Sequence, residues 1–313
     1  PLSQIKAPCW VMKGFPGKIG ILYNRRSLLE RDSMNPSTLV LIVDPQNDFC
    51  DLPAGTDSIS GQLIFPSLPV PGAHADMRRL ASWLDENADH IDDIVVTLDS
   101  HQYFDIAHPD CWRTGQGGEV AAFTAITAAS VRSGQFRTAD PALQAYALNY
   151  LEALEAQGRY THMIWPVHCQ LGSWGHGIHH AVLGALERWQ RQRQRAVMSV
   201  IKGTNPYTEH YSALQAEVPD PQDPSTQLNM PLLERIAAAD QVVIAGEASS
   251  HCVAYTVRDL FAHLPAENLK HFVLLTDCMS PVSGFEQQHA AFLQEAADHG
   301  VLLANSGEFQ LPR

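Results

Sequence analysis

The chain has 313 residues, 45% of them hydrophobic, and 21 Lys and Arg against 34 Asp and Glu give a formal net charge of −13. So acidic a balance argues against nucleic acid or an anionic membrane surface as partner, and no apolar run approaches the roughly 18 residues of a transmembrane helix. The six cysteines are scattered without a C-x-x-C pair and no secretory pattern opens the sequence, so reduced thiols in a cytoplasmic protein are expected.

Residues 1–37 mix basic residues, Gly and Pro without a period and read as an N-terminal arm. A first buried strand follows at 38–43 (TLVLIV), ending in Asp44. Ala73, Met77, Leu80, Ala81 and Leu84 share one face of a helix predicted over 72–87. The second strand, 94–98, ends in Asp99, Ser100 and His101. Residues 102–164 form a long insertion with one predicted helix at 141–157, and WPVHC (165–169) comes next. A helix over 178–191 precedes the third strand, 196–201, which ends in Lys202 and Gly203. A second insertion, 204–230, is rich in Pro, Asp and Thr and reads as an ordered loop or lid. Leu232, Leu233 and Ile236 mark a short helix before the strand at 241–245. That strand runs into Gly246, a turn of small residues, Cys252 and a helix. Strands at 272–276 and 301–304 flank a helix carrying Phe285, His289, Phe292 and Ala296. Strand and helix alternate about six times, which predicts a single α/β domain over 38–313: a doubly wound, mostly parallel six-stranded sheet with helices on both faces.

The chemistry collects at strand ends. Asp44, Asp99, Lys202 and Cys252 each stand just beyond an apolar strand, and in an open parallel sheet those ends converge on the ligand crevice. Cys252 is expected at a helix N-terminus, where free amides and the helix dipole favour a thiolate. Asp44 can serve as its base and Lys202 as the cation that holds the charge. The amides of Ala248 and Cys252 are candidate oxyanion donors. Asp99-x-His101 suits a divalent metal; His168 is the first choice for a second imidazole and His108 the next.

The segments LIVDPQNDF, TLDSH, WPVHC, VIKG and GEASSHCVAYTVRD, in this order, resemble the isochorismatase-like cysteine hydrolases and within them the nicotinamidases. The resemblance covers about 38–305. It implies a triad at Asp44, Lys202 and Cys252, an oxyanion hole at Ala248 and Cys252 behind a cis peptide, and aromatic pocket walls at Phe49 and Trp165. It further implies a metal at Asp99, His101 and His168, with zinc first and iron or manganese as alternatives. The chain departs from the family at Glu247, where an apolar residue is usual, and at Ser250 and His251, which replace Asp and Tyr. Glu247 either lines the pocket, where it would favour a cationic or hydrogen-bond-donating substrate, or points away and pairs with a lid residue.

The expected activity is cleavage of a small, nicotinamide-like carboxamide to acid and ammonia by a homo-oligomeric enzyme whose partner is that small molecule. Hydrolysis of another C–N substrate, such as an N-carbamoyl compound or a maleamate-type amide, is the alternative. A metal-centred oxygenase would leave Lys202 and Cys252 without roles, and a non-catalytic ligand-binding homologue would not need all three triad positions.

Overall fold

The computed structural model describes residues 37–312. The arm expected at 1–37 therefore lies outside the described residues, Ser37 excepted. Six strands make the central sheet: β1 (Thr38–Val43), β2 (Asp93–Asp99), β3 (Met198–Lys202), β4 (Gln241–Gly246), β5 (Phe272–Leu275) and β6 (Leu302–Ala304). Their order across the sheet is β3-β2-β1-β4-β5-β6, and every neighbouring pair is parallel. This is the doubly wound order, in which the chain reverses its winding direction between β1 and β4. All six residues of β1 are buried, as an apolar, β-branched strand covered on both faces should be.

The helices are α1 (Ala73–Asn87), α2 (Ala128–Arg132), α3 (Gln144–Gln157), α4 (His180–Arg193), α5 (Met230–Ala237), α6 (Cys252–His263), α7 (Ala266–Leu269) and α8 (Glu286–Asp298). The predicted face of α1 holds: Ala73, Met77, Leu80, Ala81 and Leu84 are all buried, and α1 packs on α4. Two helix starts fall later than their apolar pattern suggests, for local reasons. His179 caps α4, its ring accepting the Ala181 amide at 3.3 Å, so the helix begins at His180 rather than 178. Residues 141–143 form a 3₁₀ turn, capped by Asp140 with Pro141 in its first turn, and α3 proper starts at Gln144.

The first insertion is more than a connection. It carries α2, α3 and short antiparallel ribbons (Trp112–Thr114 with Phe136–Thr138, Thr124–Ala125 with Met163–Ile164), and it has its own core, built on Trp112, Ile126, Val131, Tyr150, Leu151 and Ile164. His162 lies beneath this core with a ring nitrogen 3.0 Å from the Ile106 carbonyl. Burial holds it neutral, pulled down to about 4. An unfolded histidine protonates near 6.5, so the fold loses stability as pH falls from about 6.5 towards 4, by about 1.4 kcal/mol per pH unit from this group. His162→Phe should therefore destabilise at pH 7 by loss of the hydrogen bond, and its deficit should shrink by that amount per unit on acidification; urea denaturation at pH 7 and pH 5 measures both.

Candidate active site

The sheet register builds the site. Val43 pairs with Gly246 and Asp99 with Lys202, so the residues that leave these strands emerge side by side. Gly246 is required where it stands: its φ is +125°, and a Cβ there would lie 2.0 Å from the Val43 carbonyl oxygen. Asp44 turns out of β1 at φ 44° and is fully buried. Its Oδ1 accepts the Thr97 hydroxyl at 2.5 Å, while Oδ2 faces Lys202 Nζ at 2.9 Å. Lys202 Nζ also lies 2.9 Å from Asp99 Oδ1, 2.9 Å from the His210 carbonyl and 3.6 Å from Cys252 Sγ. One ammonium thus ties the ends of β1, β2 and β3 to the first residue of α6.

The electrostatics follow from this packing. Burial works against the charge on Lys202, but the carboxylates of Asp44 and Asp99 outweigh it and hold the ammonium well above its ordinary value. Burial raises Asp44, and Lys202 offsets only part of the rise. Asp99 resists burial and is held well below the ordinary range by His101 and Lys202. The Cys252 thiol differs from the sequence expectation. Burial pushes it well above an ordinary thiol, and Lys202 does not overcome burial together with Asp44 and Asp99. Burial thus opposes the thiolate that a helix N-terminus alone favours.

Ahead of Cys252 the Glu247–Ala248 peptide is cis. The Ala248 carbonyl is occupied by the amides of His251 and Val253, at 3.0 and 3.2 Å. The amides of Ala248 and Cys252 donate to no other group among the described residues.

Beside the Lys202 cluster stand three buried imidazoles, His101, His108 and His168, with ring nitrogens within 4.8 Å of one another. Asp99 Oδ2 is 3.0 Å from His101 Nε2 and 3.3 Å from His168 Nε2. Each Nδ1 has an acceptor of its own: Asp105 Oδ2 for His101 at 3.0 Å, the Tyr103 carbonyl for His108 at 3.3 Å, and the Pro166 carbonyl for His168 at 2.8 Å. His108 Nε2 also lies 3.4 Å from His168 Nδ1. Burial works against a charge on His101, but Asp99 and Asp105 outweigh it and hold the imidazolium well above its ordinary value. Outer partners such as Asp105 and the two carbonyls are the kind that orient ligating histidines. Burial and the neighbouring imidazoles His101 and His168 keep His108 neutral, down to about 2. Each of the three imidazoles offers one nitrogen, and with Asp99 alongside, the set suits zinc, iron or manganese. His108, second choice from the sequence, joins His168 rather than competing with it.

The two expected wall residues are buried: Phe49 packs its ring 5.5 Å from that of His168, and Trp165 lies 5.1 Å from His251. Phe123, Tyr211 and Phe285 complete an aromatic group around Trp165 and His251. They come from distant loops, and nothing in their local sequence distinguishes them from core residues. Glu247 is not part of this group. Its carboxyl is fully buried, accepts the Ser280 amide at 3.1 Å, and faces Asp76 and Asp51. What holds the carboxyl on that side is the Ser280 amide, which donates to it there. Its partner is also not a residue of the 204–230 lid.

No family model and no curated protein matches the sequence. Solved structures do match. A nicotinamidase/pyrazinamidase of Acinetobacter baumanii aligns over 88% of this chain and 99% of its own, at 17% identity and a TM-score of 0.56. The chain has the nicotinamidase fold. The yeast nicotinamidase Pnc1p aligns over 86% of this chain and 99% of its own, at 21% identity and a TM-score of 0.53; it is also known bound to the inhibitor nicotinaldehyde. The PnC1 protein of L. infantum, in complex with nicotinate, aligns over 87% and 94% at 20% identity and a TM-score of 0.50. In each case the likeness extends over the whole of the matched chain or nearly so. No helix among the described residues is long and apolar enough to cross a membrane.

Proposed function

We propose that the protein is a cysteine-dependent amidohydrolase that cleaves a small planar carboxamide to the acid and ammonia through a thioester. The observation that carries this reading is the meeting of Asp44, Lys202 and Cys252 at the switch point of the sheet, with Lys202 Nζ 2.9 Å from Asp44 Oδ2 and 3.6 Å from Cys252 Sγ. Asp44 takes the thiol proton as Sγ attacks the amide carbon, and the carbonyl electron pair moves to oxygen, facing the amides of Ala248 and Cys252. As that pair returns, the C–N bond breaks and the nitrogen receives the proton held on Asp44, leaving as ammonia. Asp44 then deprotonates water, the resulting hydroxide attacks the thioester carbon, and the expelled sulfur recovers the proton. Lys202 keeps its charge throughout and holds Asp44 in place. The raised thiol suits this order, since sulfur is deprotonated only as it attacks.

A divalent metal, zinc first, would be held by Asp99, His101 and His168 together with His108; when bound, it supplies a Lewis acid to orient a ring nitrogen of the substrate or a water. The aromatic group around Trp165 favours a flat substrate. Nicotinamide and pyrazinamide are the leading substrates, by analogy with the proteins that share the fold. An ammonia-release screen over nicotinamide, pyrazinamide, maleamate and N-carbamoyl compounds tests the reading; no release from any of them overturns it. The cytoplasmic location and homo-oligomeric state expected from the sequence belong to the same proposal.

A further inference from the structure

The proposed reaction leaves unused the two buried acids on the far side of the oxyanion turn, Glu247 and Asp76. Their hydrogen bonds converge on Ser280. The Ser280 amide donates to Glu247 Oε2 at 3.1 Å, its hydroxyl donates to Asp76 Oδ2 at 2.6 Å, and its carbonyl accepts the Ser249 amide at 2.9 Å. The Glu247 amide is fastened to the Val43 carbonyl at 2.8 Å. Ala248 is therefore bracketed by two residues, Glu247 and Ser249, that are both tied to Ser280, and Ser280 is tied through Asp76 to α1.

We propose that Glu247 and Asp76 form a carboxyl latch that holds one proton and, through Ser280, positions the Ala248 amide for the oxyanion. Glu247 is the positioning residue, and its effect on turnover rests on the amidase reading. The charge count supports the shared proton. Arg79 pairs with Asp76 and is, among the described residues, the one cation in contact with the two acids, so ionising both would bury a net negative charge. Asp76 has the guanidinium and the Ser280 hydroxyl as donors, whereas Glu247 Oε1 is buried with no hydrogen bond. The proton therefore belongs on Glu247, which burial and the facing Asp76 hold well above the ordinary carboxyl range. The other groups facing the pair are Asp51 and Cys50 from the segment after β1, and Asp277 and Cys278 from the segment after β5. All of them are common to the proteins compared below and cancel in the comparison.

The test compares wild type with Glu247→Gln, Glu247→Leu and Asp76→Asn. Glutamine keeps an acceptor for Ser280 and a donor towards Asp76 but cannot ionise. A carboxyl raised in the fold costs stability as pH rises above its unfolded value, so the melting temperature of Glu247→Gln should exceed that of wild type by a margin that widens from pH 5 to pH 8. Asp76→Asn removes the facing charge and should flatten the same pH-dependent loss. Parallel melting curves for wild type and Glu247→Gln overturn the latch. With an amide that the wild type hydrolyses, Glu247→Leu should lower kcat roughly tenfold or more with KM within about threefold, and glutamine should restore kcat to within about threefold of wild type. Undiminished kcat in the leucine protein, or failure of glutamine to restore it, overturns the positioning role. If leucine prevents folding, the glutamine and asparagine proteins still decide through the melting curves. Those curves need no substrate, so a wild type inactive on every amide would refute the amidase reading and leave the latch to be judged by melting.

Discussion

Cys252→Ala is expected to abolish ammonia release, by about 10³-fold or more, in a protein that still folds and melts within a few degrees of wild type. The effect should be large because no other described thiol can substitute. Cys50, Cys111, Cys169 and Cys278 are buried as Cys252 is, but among the described thiols only Cys252 is in contact with Lys202 Nζ. Stability should change little, since the substitution removes one sulfur from a small side chain at the start of α6 and leaves the helix intact. Coupled measurement of ammonia and thermal denaturation separates the two effects. Full ammonia release from the alanine protein would remove Cys252 from the mechanism.

Lys202→Met should be the most destabilising change at the site, at about 3–5 kcal/mol. Lys202 is 2% exposed and is the cation between Asp44 and Asp99, both buried. Removing it leaves two carboxylates facing each other out of reach of water, which is far costlier than deleting the pair together. Asp44→Asn in the same chain should therefore recover part of the loss, and the double variant should be more stable than the sum of the single effects predicts. Urea denaturation of the three variants measures the coupling. Strict additivity would mean that the ammonium and the Asp44 carboxylate do not interact. Both single variants should also be inactive, because Asp44 carries every proton in the proposed cycle.

The meeting of Asp44, Lys202 and Cys252 was legible because each lies at or shortly beyond the carboxyl end of an apolar strand, and parallel pairing brings such ends together. The sheet order follows from the same alternation. Side-chain direction at the turn between β4 and α6 was not legible. Glu247 stands between a strand and a helix, where neither period applies, and its direction is decided by Ser280 and Asp76, which come from other parts of the chain. His108 was only the second choice because it sits beside a proline in a polar loop, yet it is buried against His101 and His168 with its Nδ1 at the Tyr103 carbonyl. The insertion's own core was hidden because Trp112, Val120 and Ile126 lie in segments too short to show a period. The electrostatics of Cys252 were only half legible: a helix N-terminus can be read from residue order, but the burial that raises the thiol cannot.

The position of β1 in the sheet bears on how the protein is made. On a ribosome, Thr38–Val43 emerges well before β4, which covers one of its two edges and follows only from Gln241 onward. At about 5–20 residues per second, that edge waits roughly 10–40 s for its partner. Throughout that interval an unbroken apolar strand offers unpaired amides and carbonyls to any neighbouring nascent chain. Slower synthesis at low temperature with ample chaperone should therefore raise the soluble yield more than any change to the mature surface.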